Sequence, residues 1–155
     1  MLNLEHSLPL GNLILILCAV AWALAQMLKV VVVLLVKRRL DWRYIWASGG
    51  MPSSHSAFVS ACAASTGRLY GFSSPLFAIS AVVAFVVMYD AANVRKAAGE
   101  QAKILNYIMD HWNEMKPEIF GKELKELLGH TPLQVIAGAL LGILVGILGV
   151  VIFYA

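Results

Sequence analysis

Charge is scarce in this chain. Asp, Glu, Lys and Arg make up 14% of the 155 residues against 60% hydrophobic ones, a balance that excludes an ordinary soluble domain, where about a quarter of residues are charged. Cysteine is limited to Cys18 and Cys62. Both sit in apolar or small-residue helical surroundings, where one disulfide and two buried thiols are the alternatives, and the redox compartment is left open. No basic stripe with interleaved aromatics occurs outside the membrane-flanking loops, so the net charge of +3 does not indicate a nucleic-acid partner. No low-complexity run, flexible linker or repeat divides the chain, and residues 1–155 read as a single membrane-embedded domain.

The apolar excess must face lipid. Three stretches, Leu13 to Val36, Leu69 to Tyr89 and Thr131 to Ala155, reach the ~20 apolar residues that cross a hydrocarbon core of about 30 Å. The first is expected to be retained rather than cleaved. It has no basic region before it and no small-residue cleavage site after it, and it carries Gln26 and Lys29. Ten of the twelve Lys and Arg residues fall in the two loops that follow the first span and precede the last. If those loops are cytoplasmic, the N-terminus lies outside and a further crossing is needed between Arg43 and Pro75. The candidate is Ser54 to Tyr70, rich in Ala and Ser, which other helices would cover. The expected fold is therefore an all-α membrane bundle of about four transmembrane helices, with amphipathic helix at the cytoplasmic interface between Val94 and Leu128.

Helix boundaries follow from local chemistry. Gly49-Gly50-Met51-Pro52 cannot continue a helix, and Ser53 or Ser54 is a good N-cap for the second helix, whose end is marked by Gly67 to Pro75. Thr131 and Pro132 suit the cap and first position of the last helix, so His130 sits just before it. Within that helix Gly138, Gly142 and Gly146 recur every fourth residue. They form a smooth stripe on which either a helix of this chain or a second copy, as a homo-oligomer, can pack closely.

This topology gathers the unusual polar groups on one face: Lys29, Met51 to Ser56, Asp90 with Arg95, and His130. Two helix N-termini open there, and their free N–H groups and positive dipole ends suit a phosphate; the alternative is ordinary caps exposed to water. Lys29 lies seven residues before Val36, about 10 Å below that helix end. It either snorkels or, with Gln26 on the same face, lines a polar pocket. His55 and His130 near positive dipole ends tend to stay neutral, as an attacking imidazole must be. Asp90 either orients a histidine or pairs with Arg95. Glu100, Asp110, His111 and Glu114 show no ligand motif and fit a solvated helix face, so no metal site is expected.

Met51-Pro52-Ser53-Ser54-His55-Ser56 resembles the central Pro-Ser-x-His motif of the phosphatidic acid phosphatase type 2 and vanadium haloperoxidase superfamily. Leu40-Asp41-Trp42, Met88-Tyr89-Asp90, Val94-Arg95, Ala98-Gly99-Glu100-Gln101-Ala102 and Glu126-Leu127-Leu128-Gly129-His130 look like its divergent bacterial and plant branch. The resemblance covers most of the chain. It implies that His130 is a nucleophile forming a phosphohistidine, that His55 protonates the leaving oxygen, and that Lys29 binds phosphate. It calls for no cofactor.

The chain departs from the main family at three places. Val36-Lys37 stands where the first motif has Arg-Pro, leaving Arg38, Arg39 or Arg95 to substitute. Leu124 and Gln134 occupy the positions of an arginine and an aspartate around the nucleophilic histidine, leaving Asp90 or Glu126 as the orienting carboxylate. The resemblance thus implies hydrolysis of a membrane lipid phosphate or diphosphate in a bacterial plasma membrane, and the charges of the two loops put the expected site toward the cytoplasm. The departures favour a second reading, a non-catalytic membrane protein that binds anionic lipid or assembles with a partner. Oxidative haloperoxidase chemistry does not suit so small a membrane-buried chain.

Overall fold

The computed structural model describes residues 9–38, 49–112 and 130–154, which form five helices and no strand. They are α1 (Leu10–Lys37), α2 (Ser54–Tyr70), α3 (Pro75–Ala92), α4 (Val94–Trp112) and α5 (Pro132–Tyr154). Asn12–Val36, Pro75–Met109 and Pro132–Tyr154 are long and apolar enough to cross a membrane. Leu15, Val82, Phe85, Leu140 and Ile152 point outward, as lipid-facing residues do.

The polar helix α2 lies at the centre, packed by α1, α3 and most extensively α5. Its 17 residues span about 25 Å at 1.5 Å per residue, and its hydroxyls are satisfied within the bundle. Ser65 Oγ donates to the Ala61 carbonyl at 2.7 Å, and Ser60 Oγ approaches Met88 Sδ at 3.8 Å. A helix shielded in this way needs no apolar surface, which is why its Ala and Ser content is compatible with crossing.

The glycine stripe of α5 meets α2 in parallel register. A Cβ on Gly138 would strike the Ser53 carbonyl, one on Gly142 the Ala57 carbonyl, and one on Gly146 would come within 2.8 Å of the Ala61 carbonyl. Three turns of α5 therefore rest directly on three carbonyls of α2. Of the two partners open to this stripe, the helix of the same chain occupies it. The three glycines are buried beneath α2. The other end of the bundle closes with Leu13, Leu17 and Val150, and Leu17 fills the space over Gly149.

α2 runs from Ser54 to Tyr70, the bounds expected of it, and Gly67 is buried within it where any Cβ would collide with Phe72 and Phe77. The chain turns at Gly71, whose φ of +89 lies in the region that favours glycine. The third span starts at Pro75 rather than Leu69, with Ser74 Oγ accepting from Phe77 N at 3.2 Å as its cap. α4 is amphipathic and follows α3 after Asn93, whose side chain and N–H both donate to the Tyr89 carbonyl. The remainder of the expected interfacial region, 113–129, lies outside the described residues.

Candidate active site

The approach to α2 is shaped around a lysine. Gly50 adopts φ +100 and lies over the Lys29 stem, where a Cβ would stand 3.7 Å from Lys29 Cδ. Ser53 is the N-cap: its Oγ accepts from Ser56 N at 3.3 Å and from Ser56 Oγ at 3.0 Å. Ser54 is thereby left to accept a hydrogen bond from Lys29 Nζ at 3.3 Å. With 1% of its surface exposed, Lys29 is the largest fully buried side chain among the described residues, so it does not snorkel. Gln26, 8% exposed, lies one turn deeper and its Oε1 has no hydrogen-bond partner among the described residues.

The start of α5 is built by a reciprocal cap. Gln134 N donates to Thr131 Oγ1 at 3.4 Å, and Thr131 N donates to Gln134 Oε1 at 3.1 Å, the two-way arrangement of a capping box. The Gln134 carbonyl then accepts from Ser53 N at 2.9 Å, tying the first residues of α2 and α5 together. His130 N donates to the Ala91 carbonyl of α3 at 3.0 Å, holding the histidine at the bundle mouth with 1% exposure.

These anchors bring His55 and His130 into an edge-to-face pair with ring centroids 6.2 Å apart and planes at 90°. Asp90, partly buried, immediately precedes the Ala91 carbonyl that holds His130. Arg95 lies in the first turn of α4, and Arg38 is exposed as the left-handed C-cap of α1. Arg39 and Glu126 lie outside the described residues.

Lys29, Ser53, Ser54, His55 and His130 thus share one end of the bundle with Asp90. Both α2 and α5 begin at that same end, and their positive dipole ends favour an anion there. Placing a lysine in the apolar core of a membrane costs about 2.5–3.5 kcal/mol on insertion scales, and the hydrogen bond to the Ser54 hydroxyl offsets part of that.

Gln134 and Ala91 hold the candidate site together through hydrogen bonds, and residue type alone did not single them out. The Thr131-Pro132-Leu133-Gln134 spacing carries the capping-box signal for Gln134. Ala91 acts through its carbonyl, and a backbone acceptor leaves no mark in a sequence.

Residues 10–145 match the divergent PAP2 family. Over 130 residues the chain is 43% identical to the uncharacterized membrane protein YuiD of Bacillus subtilis (strain 168), an alignment covering 77% of this chain and 82% of that protein. No solved structure matches. With apolar helices that can cross a bilayer and a match running from the start of α1 into α5, this integral membrane protein belongs to the divergent PAP2 family.

Proposed function

We propose that the protein is a lipid phosphate phosphohydrolase working through a phosphohistidine. The observation that carries this reading is the His55–His130 pair, 6.2 Å between centroids, at the mouth of two helix N-termini beside buried Lys29. A nitrogen of His130 attacks phosphorus, the bond from phosphorus to the lipid oxygen breaks, and His55 gives that oxygen a proton. Water then attacks the phosphohistidine, its proton passes to His55, and inorganic phosphate leaves. Lys29, the hydroxyl of Ser54 and the positive dipole end of α2 stabilise charge on the phosphoryl oxygens. Arg95 and Arg39 are the further cations for this role, and Asp90 orients a histidine.

The site faces the cytoplasm in this reading, because ten of twelve basic residues lie in the two loops at its end. The deciding experiment is phosphate release from phosphatidic acid or a polyprenyl diphosphate by purified protein in detergent. Release that disappears in His130→Ala supports hydrolysis. Tight binding of these lipids without release would instead support the anionic-lipid binder that the Leu124 and Gln134 departures favour.

A further inference from the structure

Three of the lateral recesses on this bundle differ in what they adjoin. One lies between α3 and α5 and another where α2, α3 and α5 meet, and neither is lined by a candidate site residue. The third, about 450 Å³, lies where α1, α2 and α3 splay, and is lined by Ala19, Trp22, His55, Phe58, Val59 and Val87. His55 is its polar wall, and the remaining lining is apolar or aromatic. The same imidazole that meets His130 therefore also closes one side of a hydrocarbon-compatible space.

Depth identifies the occupant. Trp22 precedes Lys29 by seven residues and Ala19 by ten, placing them about 10 and 15 Å further into the bilayer along α1. The medium at that depth is hydrocarbon, and Trp22 and Phe58, each 39% exposed, face it. A water-soluble phosphate ester would leave this space unused. A lipid whose phosphate reaches the nitrogens of His55 and His130 would have a chain leading into it.

We infer that the recess receives one hydrocarbon chain of the lipid phosphate substrate, and that Trp22 and Ala19 set the chain length it accepts. This rests on the reading of the histidine pair as a lipid phosphate site. A chain entering from the bilayer exchanges one apolar surrounding for another, so the gain in affinity from burial is small. The recess selects by shape. Its effect is read in relative rates on long and short chains rather than in overall binding.

The test uses the full chain in nanodiscs with phosphatidic acid carrying a diazirine midway along one acyl chain, and a matched phosphatidylcholine probe. Cross-links are mapped by mass spectrometry. The phosphatidic acid probe is expected to label α1, α2 or α3 around Ala19, Trp22, Phe58, Val59 and Val87 more strongly than its phosphatidylcholine counterpart. Ala19→Phe, which fills the recess, should lower the rate ratio of dioleoyl to dioctanoyl phosphatidic acid by ~5-fold or more, and Trp22→Ala, which enlarges it, should raise that ratio. The opposite signs guard against general damage to folding. Equal labelling by both probes, or phosphatidic acid labelling confined to the α3–α5 side, overturns the inference and leaves the phosphohydrolase reading standing. The expected labelling in a protein that releases no phosphate would overturn hydrolysis and keep the recess as a chain site for a bound lipid phosphate.

Discussion

His130 meets His55 edge to face, with ring centroids 6.2 Å apart and the ring planes at 90°. One ring is carried by the first turn of α2 and the other by the residue just before the α5 cap, so their meeting depends on the Ser53 to Gln134 and His130 to Ala91 backbone bonds. Perpendicular rings direct their nitrogens along different lines, which suits one ring to phosphorus and the other to the leaving oxygen. His130→Ala should abolish the phosphoenzyme. His55→Ala should slow an alkyl phosphate by about 10²–10⁴-fold, the usual contribution of a general acid, yet still form the intermediate from a substrate with a good leaving group. Acid-quenched mapping of base-stable phosphate distinguishes the two roles, and phosphate found on His55 would reverse them.

Lys29→Met removes the buried ammonium while keeping an unbranched apolar stem. Methionine keeps the packing of the stem against Gly50, so the protein should remain folded in detergent. If Nζ contacts the phosphoryl group, kcat/KM should fall by roughly 10- to 150-fold, corresponding to about 1.5–3 kcal/mol for a hydrogen bond from a charged donor. Unchanged turnover in a folded sample would leave the lysine a purely structural partner of Ser54.

Gly142→Ala should destabilise the bundle by about 1–3 kcal/mol, the usual penalty for overpacking, because its Cβ would strike the Ala57 carbonyl and stand 2.9 Å from Ala61 N. The oligomeric state measured by light scattering should not change. A shift in that state at unchanged thermal stability would mean that the stripe serves a second copy after all.

Orientation is testable by side-specific labelling. In a background with Cys18 and Cys62 replaced by Ala, a cysteine at Arg39 should react with an impermeant maleimide only in opened cells. One at Ser73, exposed in the turn between α2 and α3, should react in intact cells. The reverse pattern would place the candidate site on the outer face.

Much of this protein was legible in the sequence because its strongest signals are local. Long apolar runs locate α1, α3 and α5, and the chemistry of Thr131-Pro132 marks the start of α5. The Gly-Gly-Met-Pro run with Ser53 marks the start of α2. Alternation of crossings then brings Lys29, His55, Asp90 and His130 to one end, since antiparallel spans leave no other arrangement. Tertiary structure decided what local chemistry leaves open. Ser53 caps α2 while Ser54 accepts from Lys29 across the helix pair. The glycine stripe went to α2 because its carbonyls fit where no Cβ can stand. Position 67 is restricted to glycine because Phe72 and Phe77 fill the space beside it, and the recess beneath His55 arose from three helices whose residues share no linear spacing. Spacing along a chain reports which face a residue occupies on its own helix. The choice of neighbour across that face is made by steric fit and hydrogen bonding between segments distant in sequence.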